Sequence, residues 1–122
     1  MPEYLCLLYA DNTDPAVEEE RWKDLPAWTE LAEELRRAGT LIANNALQNA
    51  TQARTIRARR EELAITDGPF ATTKETLVGY FLLRCADLDE ALAHAQRLPV
   101  ARYGSVEVRP VKGLDDTVIA AA

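Results

Sequence analysis

With one histidine, His94, and one serine, Ser105, the chain carries little of the equipment for nucleophilic catalysis. Neither G-x-S-x-G nor H-E-x-x-H occurs, and its five glycines form neither a P-loop nor a Rossmann turn. Triad chemistry is therefore not expected, and no cofactor is. His94 falls off the apolar stripe of its helix, which predicts a solvent-facing side chain. Cys6 and Cys85 lie singly in apolar runs, without the paired spacing of a zinc site or a cluster of histidines. They read as two buried thiols, and no metal site is expected.

Basic charge is in the minority, with 14 Lys and Arg against 20 Asp and Glu. The formal net charge of −6 argues against nucleic-acid binding, which needs a dominant cationic surface to release counterions. Arg54, Arg57, Arg59 and Arg60 are followed at once by Glu61 and Glu62, as on a solvated strand face. Arg54 alone could reach a cleft and bind a carboxylate. No run approaches the ~18 apolar residues that span a bilayer. Met1-Pro2-Glu3-Tyr4 has no basic flank of a secretory signal, so a cytoplasmic protein without membrane contact is expected.

A length of 122 residues suits one domain, here taken as 1–112 with a tail at 113–122. Residues 3–10 are nearly all apolar, as in a strand covered on both faces or shared between a core and a subunit interface. Residues 16–24 suit a short acidic helix. The main first helix is predicted from Leu25 to Ala38, its stripe formed by Leu25, Trp28, Leu31, Ala32, Leu35 and Ala38. Gly39 supplies its left-handed cap.

Strands are predicted at 40–48, 53–60, 63–66, 78–85 and 105–111. A second helix opens at Asp87, with an apolar stripe of Leu88, Ala91, Leu92, Ala95 and Leu98, and stops at Pro99. The order β-α-β-(β-β)-β-α-β predicts an α+β fold: a ferredoxin-like antiparallel sheet with an inserted hairpin and both helices on one face. The apolar residues on both sides of 4–9 and 80–83 predict a homodimer that covers the other face.

The organising stretch runs from Asp67-Gly68-Pro69-Phe70 through Thr73-Lys74-Glu75 to Gly79-Tyr80. A turn of Asp, Gly and Pro followed by hydroxyls, a cation and a carboxylate is what a site on a loop looks like. Asp67 either caps its turn or accepts a proton. Lys74 either anchors an anionic ligand or pairs with Glu75 in solvent, and Glu75 is the second candidate base. Tyr80 either binds a ligand or packs, and Gly79 permits close approach of another backbone.

This motif resembles the signature of the YCII-related (DGPF-domain) proteins. The resemblance extends from the first strand through Ala91 and Ala101–Val111. It implies a dimeric α/β barrel, two sheets closing face to face, but no particular reaction. Some relatives are thought to use a histidine on the first helix with an aspartate as an acid–base pair. The position matched to that histidine holds Trp28, and Asn45 stands where many relatives carry a carboxylate after the second strand. These replacements keep hydrogen bonding but remove proton transfer, which favours binding over turnover. The expected site is thus Asp67 and Glu75 for catalysis, with Lys74, Tyr80, Trp28, Asn45 and Arg54 around a small anionic or polar molecule. The alternative, implied by resemblance only, is a non-enzymatic regulator associated with extracytoplasmic-function sigma factors.

Overall fold

A computed structural model describes residues 1–71 and 73–113. Most of the tail expected at 113–122 therefore lies outside the described residues. Strand β1 (Glu3–Ala10) alternates strictly, with Tyr4, Cys6, Leu8 and Ala10 buried and the residues between them half-buried. One face of this strand belongs to the core, and the chain itself leaves the other partly open.

Helix α1 (Pro15–Lys23) starts where the Asp14 side chain accepts the Ala16 N–H at 2.9 Å, with Pro15 in the first turn. It buries no residue fully. Helix α2 (Leu25–Arg37) buries Leu31, Ala32 and Leu35, whereas Leu25, expected on the stripe, is exposed. Gly39 ends this segment at a φ of +78°, as its position predicts.

Strand β2 (Leu41–Ala46) is shorter than expected, because Asn49 caps a 3-10 turn at Ala50–Gln52. Strands β3 (Arg54–Arg59) and β4 (Glu62–Asp67) form a hairpin of their own. Its two-residue turn, Arg60 and Glu61, takes positive φ at both positions, the twist a tight hairpin needs. Strand β5 (Thr76–Arg84) follows.

Helix α3 (Leu88–Ala95) is held by reciprocal caps. Asp87 Oδ1 accepts the Glu90 N–H at 2.9 Å, and Glu90 Oε2 accepts the Ala86 N–H at 2.8 Å. The helix stops before Leu98, and Pro99 opens a 3-10 turn, Pro99–Arg102, instead of terminating α3. Ala91, Ala95 and Leu98 are buried, but Leu88 and Leu92 are exposed. Strand β6 (Ser105–Pro110) closes the chain's sheet.

That sheet has the order β2-β5-β1-β6 with every neighbouring pair antiparallel. This is the ferredoxin-like arrangement, α+β with an antiparallel sheet. Leu31, Leu35, Ala91, Ala95 and Leu98 meet Cys6, Leu8, Phe81 and Leu83 in one core, so α2 and α3 share a face. The opposite face carries Leu5, Leu7 and Tyr9 of β1 beside Leu82, Tyr80 and Leu77 of β5. Gly79 is needed where β2 crosses close: a Cβ there would sit 2.7 Å from the Asn45 carbonyl oxygen.

Candidate functional site

The Asp67 bend does not shelter its charged groups within the chain. Asp67 ends β4 instead of opening a turn, and its side chain is 89% exposed. Its partner is Arg54 Nε at 3.1 Å, directly across the β3–β4 ladder, so this carboxylate is taken by the strand beside it. Arg54, expected to reach a cleft, instead holds this carboxylate in the open. Gly68, at a φ of +94°, makes the bend, with its N–H donated to the Ala53 carbonyl and its own carbonyl bonded by the Thr55 hydroxyl.

Lys74 is exposed and lies near Asp11 instead of pairing with Glu75. The Asp11 carboxyl is held below its ordinary value, chiefly by the Thr13 hydroxyl at 2.6 Å, then by the Thr13 N–H, with Lys74 a smaller contribution. Glu75 accepts a hydrogen bond from Ser105 at 2.6 Å, across to the start of β6. A shallow hollow of about 340 Å³ lies beside the bend, lined by Asn49, Ala53, Pro69, Thr76 and Leu77. Asp67, Lys74 and Glu75 are absent from its wall.

The larger cavity, about 510 Å³, lies between the helices and the β2 side of the sheet. Its floor is Leu8, Val78, Phe81 and Val100, and α2 contributes Leu25, Trp28, Thr29 and Ala32. Trp28 packs against Phe81 with ring centroids 5.9 Å apart and planes inclined by 47°. Helix α1, which buries nothing fully, lends Trp22 to the wall.

Besides Thr29 and the Glu33 carboxylate, the polar side chains of this wall include two hydrogen-bonded groups. Arg36 Nη2 donates to Asn44 Oδ1 at 3.1 Å. Glu18 accepts from the Trp22 indole at 3.2 Å and lies 3.4 Å from Arg21. Trp28 and Asn45, both singled out from sequence, line this cavity, whereas Tyr80 does not. The Asn45 amide instead donates to the Tyr80 hydroxyl at 2.8 Å, a pair on the opposite face of the sheet. Close to Trp28, the Tyr103 hydroxyl is buried without a hydrogen bond of ordinary geometry, and burial pushes its pKa up.

Sequence reasoning missed Trp22, Arg36 and Asn44. The available signal was that Trp22 and Trp28 are the chain's two tryptophans, placed on successive helical segments. Both thiols are buried as read. His94 departs from expectation: it is half-buried and lies with Glu90 and Cys85 in one group whose ligand atoms are all within 4.8 Å. The described residues include no helix long and apolar enough to cross a membrane.

An uncharacterized protein of Rhizobium meliloti (strain 1021) is 47% identical over 76 residues, which is 61% of this chain and 61% of that relative's length. Among solved structures, 5-chloro-2-hydroxyhydroquinone dehydrochlorinase from Burkholderia phenoliruptrix AC1100, in complex with 2,5-dihydroxybenzoquinone, is similar with a TM-score of 0.57. That likeness covers 90% of this chain and 93% of the other at 12% identity, so it is one of fold. The YCII-related domain matches residues 3–115, nearly all of the described chain, including the Asp67–Tyr80 segment, and the protein belongs to the YCII-related family.

Proposed function

We propose that this protein binds a small, flat, largely apolar molecule bearing an anionic or polar group, in the cavity between α1, α2 and the sheet. The observation that carries the reading is the lining: Trp22, Trp28 and Phe81 supply ring faces, while Arg36, Asn44 and Arg21 supply donors. A volume near 510 Å³ falls in the usual range of about 300–1,000 Å³ for ligand pockets. The rings provide apolar area, and a guanidinium fixes the orientation of a carboxylate, phenolate or quinone oxygen. The dehydrochlorinase of similar fold is complexed with such a ring. Support here comes from the cavity's own walls.

The reading extends to a homodimer in which a second copy covers Leu5, Leu7, Tyr9, Leu77 and Leu82, giving a dimeric α/β barrel. A sheet face of this composition left in water forfeits about 25 cal/mol for each Å² that a partner would cover. A second reading, a non-enzymatic interaction protein, is favoured by the hairpin. Ile56, Leu63 and Ile65 share one face of it and are each 60% exposed or more.

Because both tryptophans line the cavity, tryptophan fluorescence excited to the red of the four tyrosines reports on it. Hydroxylated benzoquinones and aromatic acids are titrated against the wild-type chain and Arg36→Ala. Saturable quenching, weakened about tenfold or more by Arg36→Ala, is the expected result. A panel that raises neither quenching nor melting temperature, or a variant that binds as the wild type does, overturns the small-molecule reading.

A further inference from the structure

Away from the cavity, Cys85, Glu90 and His94 converge on the same point from a strand end and one turn of helix. Cys85 follows β5 directly, its N–H donated to the Pro2 carbonyl at 3.1 Å, and it is 0% exposed. Glu90 and His94 are four residues apart on α3, so they project from one face. His94 Nε2 lies 3.7 Å from Glu90 Oε1. Nitrogen and oxygen bonds near 2.0–2.1 Å set two donors of a tetrahedral ion about 3.3–3.4 Å apart, so this pair is within about 0.4 Å of that spacing. All three donors lie within 4.8 Å of one another, and a sulfur bond near 2.3 Å sets sulfur about 3.5 Å from the other two, so each of its separations closes by about 1.3 Å or less.

We propose that Cys85, Glu90 and His94 form a binding site for one zinc ion, with water in the fourth position. The buried sulfur is the floor, and the half-buried His94 and Glu90 form a rim open to solvent. One thiolate, one carboxylate and one neutral imidazole bring two negative charges to a dication. Sulfur and imidazole together select zinc over magnesium or calcium, which demand oxygen ligands. Binding replaces the Cys85 S–H bond by a sulfur–zinc bond, and the proton leaves to solvent.

Glu90 is held in the required place by a bond the metal does not need. Its Oε2 accepts the Ala86 N–H, which leaves Oε1 turned toward His94. An outer hydrogen bond that fixes a ligating carboxylate is a regular accompaniment of metal sites. The competing account is that Glu90 merely caps the helix and meets His94 as a surface pair. Sequence spacing hides the site because five and nine residues separate Cys85 from its two partners, across the strand–helix turn.

Cobalt(II) serves as the probe, added to metal-free protein under a phosphine reductant and displaced afterwards by zinc. A sulfur-to-cobalt charge-transfer band with intense tetrahedral visible bands, both bleached by zinc, is expected. Glu90→Gln retains an oxygen for the Ala86 N–H, so it preserves the cap while weakening the metal ligand. It and His94→Gln should each weaken binding by more than about 100-fold, beyond the 10–100-fold typical of an outer-shell loss. Cys85→Ala should abolish the charge-transfer band, with circular dichroism confirming the fold of every variant. No charge-transfer band at saturating cobalt, or wild-type affinity in both Glu90→Gln and His94→Gln, overturns the site.

Discussion

Gly79→Ala tests the link between a close backbone approach inside the sheet and the cavity wall. The added Cβ would meet the Asn45 carbonyl oxygen at 2.7 Å and the Ala46 Cα at 3.4 Å. Both are backbone atoms, so no side chain can swing away. Carbon and oxygen normally stay about 3.2 Å apart or more, and relief must come from moving β2 bodily. That movement is feasible because β2 is an edge strand paired only with β5. It is resisted by the Ala46–Gly79 pairing and by the Leu47 N–H bond to the Val78 carbonyl at 2.9 Å.

Overpacking of this kind costs about 1–3 kcal/mol, and the stiffer unfolded chain of an alanine variant returns roughly 0.4–1 kcal/mol. A backbone clash that no side chain can relieve falls in the upper part of that overpacking range, about 2–3 kcal/mol. The expected net loss is thus about 1–2.6 kcal/mol, or ~3–13 °C in melting temperature for a chain of this size. Urea unfolding followed by circular dichroism gives the first figure, and amide exchange should show faster opening in β2 than in β1. Since Asn44 and Ala46 belong to the cavity wall, ligand quenching should weaken as well. Gly39→Ala is the control: nothing lies within 4 Å of its Cβ, so its cost comes from a φ of +78° and should leave the cavity untouched. A Gly79→Ala protein within about 0.5 kcal/mol of wild type, with β2 exchange unchanged, would refute this account of the crossing.

Asp11→Asn should lower stability at neutral pH, and the gap from wild type should close as the solution is acidified. The Asp11 carboxyl is depressed below its ordinary 3.8, so its stabilisation is present above the unfolded-state value and lost as pH falls through the folded one. Melting curves between pH 7 and pH 2 check the sign; a gap that widens on acidification contradicts it. Leu7→Arg places a cation amid the open face of the sheet and should convert dimer to monomer by light scattering. A wild-type chain that is already monomeric at high concentration would remove the dimer proposal. Burial pushes the Cys6 thiol up to about 11, with neighbouring Cys85 adding to the shift. Cys6 should therefore react with a disulfide reagent at pH 8 only as fast as the fold opens; immediate reaction in the native state of a Cys85→Ala chain would show otherwise.

Residue order alone was enough for the β-α-β-(β-β)-β-α-β succession, the turn at Gly39, the close approach at Gly79 and the burial of both thiols. Each depends on short-range periodicity or on one residue's own backbone freedom, and such features are written within a few positions of each other. Where charged and aromatic groups end up was another matter. Asp67 read as a candidate base because a turn and a polar loop followed it, yet the neighbouring strand brings Arg54 against it in the open. His94 looked solvated from its helix alone, and the end of β5 puts Cys85 beneath it. Trp22 and Trp28 share a wall only because α1 and α2 fold over the same edge of the sheet. Sites are made by residues distant along the chain that packing brings within a few ångströms, and a linear pattern carries no record of those distances.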